Sequence, residues 1–208
     1  MEKRLIVTFA LFCMIAFSAK GQSSAGVKAD VNLSGLLISQ SVNLKSSMKV
    51  GSSAGFFYKY AFLENRAVEA DMMLHFRTSK MKNKTTGETG VYHYFGIELP
   101  LYVLIQADFD DRTLYIGMGP LVSFGLFSHN ETETRRINLY KKDPTGDRPT
   151  IRRWNFGAGI IIGYETKCNL QFNFNYQLGF RNMFDESFQN VELFSQLISL
   201  GVGYRFKK

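Results

Sequence analysis

Ser128 and His129, followed closely by Glu131 and Glu133, are the residue types of a nucleophile, a base and an orienting carboxylate. A nucleophilic hydroxyl needs its base within hydrogen-bond reach and a third group behind that base. Adjacent residues on an extended strand point to opposite faces, which separates Ser128 from His129. No catalytic site is expected there. A second set of chemically capable residues is scattered more widely: Lys28, Lys59, Glu69, Asp71, Arg77, Glu98 and Arg205, together with His75 and Arg181. Paired carboxylates can do acid–base work. Carboxylates interleaved with cations on one face instead form a structural charge network, because each buried charge requires a partner. The network is the expectation for this set. His75 and His93 lack the companion ligands that a metal site needs, and no cofactor is implied. A third set lies close together: Arg135, Arg136, Lys141, Lys142 and Arg148, with Arg152 and Arg153 just beyond. These cations outnumber the acids of the same stretch, Glu131, Glu133, Asp143 and Asp147. They suit phosphate groups or an acidic partner.

The elements that must carry these residues are legible in the composition. Hydrophobic residues make up 45% of the 208 residues and aromatic residues 14%, with 19 Phe and 10 Tyr; Gly numbers 18 and Pro only 4. Such a balance favours strands and tight turns. No run is long and apolar enough for a membrane-spanning helix. The formal net charge of +7 is spread along the chain. Without zinc-finger spacing or a basic helix, nucleic acid is not an expected partner.

From Ser24 onward the dominant period is two. In Cys168–Arg181, Leu170, Phe172, Phe174, Tyr176, Leu178 and Phe180 alternate with Asn169, Gln171, Asn173, Asn175, Gln177, Gly179 and Arg181. A helical period of 3.6 cannot separate these sets. The pattern recurs near residues 25–37, 50–63, 66–79, 91–105, 112–127 (with Leu126 ending the apolar row), 152–165 and 193–206. It predicts about eight strands, joined alternately by short turns and long connections, as in an up-and-down membrane barrel. The connections after the first and third strands are expected to be about 11 residues each, long loops being those on the outer side. The single cysteine of this region, Cys168, reads as a small hydrophobe within a strand.

Interior volume decides which face is out. An eight-stranded barrel has room for one filling of side chains, and the apolar rows carry too many rings for it. The opposite rows carry Gly96, Gly117, Gly119, Gly125, Gly157, Gly159, Gly163, Gly201 and Gly203. The apolar face is therefore expected to contact lipid, and the charged residues to share the lumen. Upstream, Lys3 and Arg4 precede an apolar run from Leu5 to Phe17, then Ala19 and Gly21 stand two apart. This is the pattern of a cleaved secretory signal over residues 1–21, leaving one domain from Gln22. The expected class is all-β, an antiparallel transmembrane barrel of the bacterial outer membrane.

Several stretches are similar to a known family. Ile97-Glu98-Leu99-Pro100-Leu101, then Leu114-Tyr115-Ile116-Gly117-Met118-Gly119-Pro120, resemble paired motifs of PorT-like outer-membrane β-barrel proteins. Trp154–Gly159 with Gly163-Tyr164, Tyr176–Asn182, and the closing Leu200–Phe206 are similar to its later strands. The resemblance implies about eight antiparallel strands in the outer membrane, and for some relatives a part in protein secretion. It also implies a terminal assembly signal, here Tyr204 and Phe206, read by the barrel-assembly machinery. Outer-membrane lipid, lipopolysaccharide for the loop cations, and envelope proteins are the expected partners. The alternatives are a lipid A-modifying barrel and a small pore.

Overall fold

The computed structural model describes residues 22–39, 44–84, 87, 89–132, 136–141, 151–184 and 192–206. The expected signal, residues 1–21, lies outside them. The elements are β1 (Gln22–Ser39), β2 (Leu44–Leu63), β3 (Arg66–Asn83), β4 (Thr89–Phe109), β5 (Arg112–Thr132), β6 (Arg136–Asn138), β7 (Trp154–Glu165), β8 (Leu170–Gly179) and β9 (Glu192–Arg205). Every pairing is antiparallel. β1 is bonded to both β2 and β9, and β4–β5 closes the remaining gap, so eight strands form a ring with β6 as a short addition to β5. A closed ring leaves no unpaired strand edge for lipid to desolvate.

Alternation sets the two faces as the sequence predicts. Along β8, Phe172 and Phe174 are exposed while Gln171, Asn173, Asn175 and Gln177 are buried. Val31, Phe56, Leu101, Ile116, Ile162 and Leu200 likewise point outward. The rule breaks once in β5. The pair Phe95↔Phe127 is followed by Gly96↔Gly125, so an extra residue sits at Leu126. Beyond that bulge Phe127 carries the exposed row, and Leu126 is only half-buried.

Three expectations need correction. The connection after β1 comprises residues 40–43 and the one after β3 residues 84–88, not about 11 each. β2 and β3 run on through Lys45, Ser46, Lys49, Lys80 and Lys82, polar residues that continue no apolar row. Cys168 belongs to the turn between β7 and β8 and is exposed. Asn169, with φ of 63°, supplies the left-handed residue that this reversal needs. Arg181 lies beyond the end of β8, its guanidinium 5.8 Å from the outward Phe156 ring. It is a rim residue rather than a lumen residue, because the strand parity that assigned it inward has ended.

Candidate functional site

The lumen is filled in tiers. Nearest the short turns, Glu165 of β7 stands between two cations: Arg205 Nε at 2.6 Å and Lys59 Nζ at 3.5 Å. Gln171 Nε2 donates to the same carboxylate at 3.0 Å. A cavity of about 680 Å³ opens beside this tier, lined also by Gln22, Ser24, Gln106 and Asp108.

In the middle tier Lys28 donates to Glu69 at 2.5 Å and to Asp71 at 3.0 Å. All three are buried, as is the neighbouring Asp30. The Lys28 ammonium also lies 4.9 Å from the Phe57 ring centre. Two of these carboxylates, Glu69 and Asp71, are brought by β3 within bonding distance of the Lys28 ammonium on β1, which offsets their burial.

The third tier comprises His75 and Arg77 of β3 with Glu98 of β4. Arg77 donates to Glu98 at 2.5 Å. His75 Nε2 is 3.2 Å from the other Glu98 oxygen. That is ion-pair distance, without the alignment of a hydrogen bond. On the far wall a ladder of amides complements the charges: Asn175 donates to Asn173 and Ser199, and Gln177 to the Tyr102 hydroxyl.

Of the expected set, Arg181 lies at the rim and the others face the lumen; Lys28, Glu69 and Asp71 pair directly, as do Arg77 and Glu98, with His75 beside Glu98. Lys59 and Arg205 meet through Glu165, which the sequence reading left out. The signal was present: Glu165 shares the parity of Gly163 and Gly157 on β7. Inward aromatic rings were also missed. Phe57, Tyr92, Tyr94, Tyr102 and Tyr115 are buried. Glycines make their room: a methyl group on Gly163 would collide with the Tyr115 ring, and one on Gly125 with Tyr140.

Above the third tier the barrel is capped. Leu36, Tyr92, Tyr94, Leu139, Tyr140, Ile151, Met183 and Leu193 form one apolar cluster. Backbone bonds stitch the incoming loops to it: Ile151 N–H to Leu139 O, Arg152 N–H to Met183 O, and Met183 N–H to Leu193 O. Arg153 stacks over Tyr140 at 4.9 Å. Arg136 and Lys141 are exposed on the same outer side; Arg135, Lys142 and Arg148 lie outside the described residues. Ser128 is fully buried and His129 only half-buried, on opposite sides of β5. His93 approaches Glu131 at 3.7 Å on the exposed surface. Among the described residues no group of three His, Cys, Asp or Glu side chains is arranged to hold a metal ion. Tyr204 and Phe206 project outward with ring centres 6.3 Å apart.

Solved barrels share this architecture. The outer membrane protein OprG of Pseudomonas aeruginosa matches with a TM-score of 0.50 and 11% identity, covering 90% of this chain and 97% of its own. Neisserial surface protein A gives 0.49 and 13%, covering 89% and 99%. Outer membrane protein W of E. coli gives 0.48 and 12%, covering 88% and 98%. At such identities the likeness concerns the fold, and a fold does not carry an activity with it. Comparison with curated proteins gave no significant sequence match. The outer membrane protein beta-barrel domain family matches residues 17–185. With a ring of eight strands, a lipid-facing apolar surface and an ion-paired interior behind that match, the chain belongs to this family and to the bacterial outer membrane.

Proposed function

We propose that this protein is a non-enzymatic barrel of the PorT-like branch, exported by its leader, that serves as a structural element or as part of an envelope or secretion assembly. The observation that carries this reading is the lumen, occupied by three tiers of ion pairs and sealed above by an apolar cap. Such a filling, among the described residues, favours a closed interior, as eight strands ordinarily have. The reaction machinery of a lipid-modifying barrel also has no support at Ser128, which is buried away from His129. Function then falls to the surfaces. Outer-leaflet lipid and lipopolysaccharide meet the apolar wall and the loop cations. Tyr204 and Phe206, at the end of the last strand, serve as the recognition element for the assembly machinery.

The test is electrical. Purified protein reconstituted into planar bilayers is expected to give no stable conductance steps above the bilayer background. Reproducible single-channel openings would overturn the reading in favour of a pore.

A further inference from the structure

Between the third tier and the apolar cap lies a small chamber of about 30 Å³, lined by Arg77, Ser79, Arg152, Arg153, Asn155 and Ser195 among others. Such a volume admits one water-sized occupant and little more. Its chemistry is one-sided. Three of its lining residues are arginines and none is a carboxylate. Glu98, the carboxylate beside Arg77, is already engaged by Arg77 and His75. Two donors on β3 face inward with no hydrogen-bond partner: Arg77 Nε and Ser79 Oγ, from side chains only 8% and 2% exposed. They stand at alternate positions of one strand and so share a face.

An unpartnered buried donor costs the full loss of its hydration, and a charged one costs more. Groups left so in a folded protein call for an occupant. We propose that this chamber binds a single monatomic anion of halide size, chloride in its natural setting. Arg77 and Ser79 supply the hydrogen bonds, and Arg153 adds positive potential from the cap side. Charged donors favour an anion over a neutral water at the same spot, and low-dielectric walls concentrate that preference. Asn155 fits in either amide orientation. Its nitrogen now donates to Ser195 at 3.0 Å. With the amide ends exchanged, the Ser195 hydroxyl donates to the oxygen and the amide nitrogen is free for the ion.

The site ties the two ends of the outer loop system together. Arg77 is anchored in the barrel wall, whereas Arg152 and Arg153 arrive with the cap. An ion between them holds the cap to the barrel wall.

The experiment uses the full mature chain refolded in detergent and crystallised from sodium bromide. The expected result is a bromide anomalous peak in the chamber, within hydrogen-bond distance of Ser79 Oγ and Arg77 Nε. In solution, at constant ionic strength, bromide should raise the thermal unfolding midpoint saturably relative to gluconate. Ser79→Ala and Arg77→Lys each remove one donor while Arg77→Lys keeps the charge facing Glu98. Each should raise the half-saturating bromide concentration about tenfold. A chamber holding ordered water only, or unfolding midpoints equal in bromide and gluconate, would overturn the proposal.

Discussion

Glu165 shows how a residue gains its role from its neighbours rather than from its type. Its carboxylate lies within 3.5 Å of two cations carried by β2 and β9, strands that are not its own ladder partners. Lys59 is 5% exposed, so removing Glu165 would leave an ammonium buried without its carboxylate. Breaking a buried pair from one side typically costs about 3–5 kcal/mol. Glu165→Gln should accordingly lower the free energy of unfolding in lipid vesicles by roughly 3 kcal/mol, measured by urea titration. A loss below about 0.5 kcal/mol would mean that water reaches Lys59 freely from the turn-side cavity. The lumen network was legible in the sequence because period two assigns a face to each charge. What parity cannot say is which charges meet: β1, β2, β3, β4, β7 and β9 must first be arranged around the ring.

At the scale of elements, legibility followed lipid. Where one face of a strand meets hydrocarbon, every second residue must be apolar, and those segments were placed correctly. Where β2 and β3 continue past the membrane, Lys45, Ser46, Lys49, Lys80 and Lys82 impose no such alternation, and strand reads as loop. The bulge at Leu126 was hidden for another reason, since Leu126 and Phe127 are both apolar and either could continue the row. β6 is the extreme case: three residues held by His129, Asn130 and Glu131 of β5. It presents Arg136, and Lys141 follows shortly after, both exposed. If these cations meet lipopolysaccharide phosphates, Arg136→Glu combined with Lys141→Glu should reduce the lipopolysaccharide retained on the purified barrel several-fold. Retention equal to wild type by mass spectrometry would exclude the β6 region as the contact.

The whole molecule has a fixed polarity, because an even-stranded ring returns both ends of the barrel to the short-turn side. Gln22 pairs with Ala61 next to the β2–β3 turn, and Phe206 N–H donates to Ala25. Cys168 marks the same side. It is the sole cysteine beyond residue 21 and is exposed in the β7–β8 turn. Its contact with the Thr166 hydroxyl at 3.0 Å helps hold the thiol below the usual cysteine range, which favours the reactive thiolate. A membrane-impermeant maleimide should leave Cys168 unlabelled on intact cells and label it fully once the outer membrane is permeabilised. Equal labelling in both states would reverse the inferred orientation.

The staves of this cask are unequal. β4 and β5 each have 21 residues, whereas β7 has 12 and β8 has 10. At about 3.3 Å per residue and a tilt near 40°, the shorter pair ends roughly level with a hydrocarbon band of about 25 Å. The taller pair rises on the order of 25 Å above it. Among the described strands, the β4–β5 side of the ring therefore stands higher than the β7–β8 side. The ladder hydrogen bonds of β4 and β5 thus continue well past the level at which β7 and β8 have ended, and that half of the ring carries its strand pairing out into water.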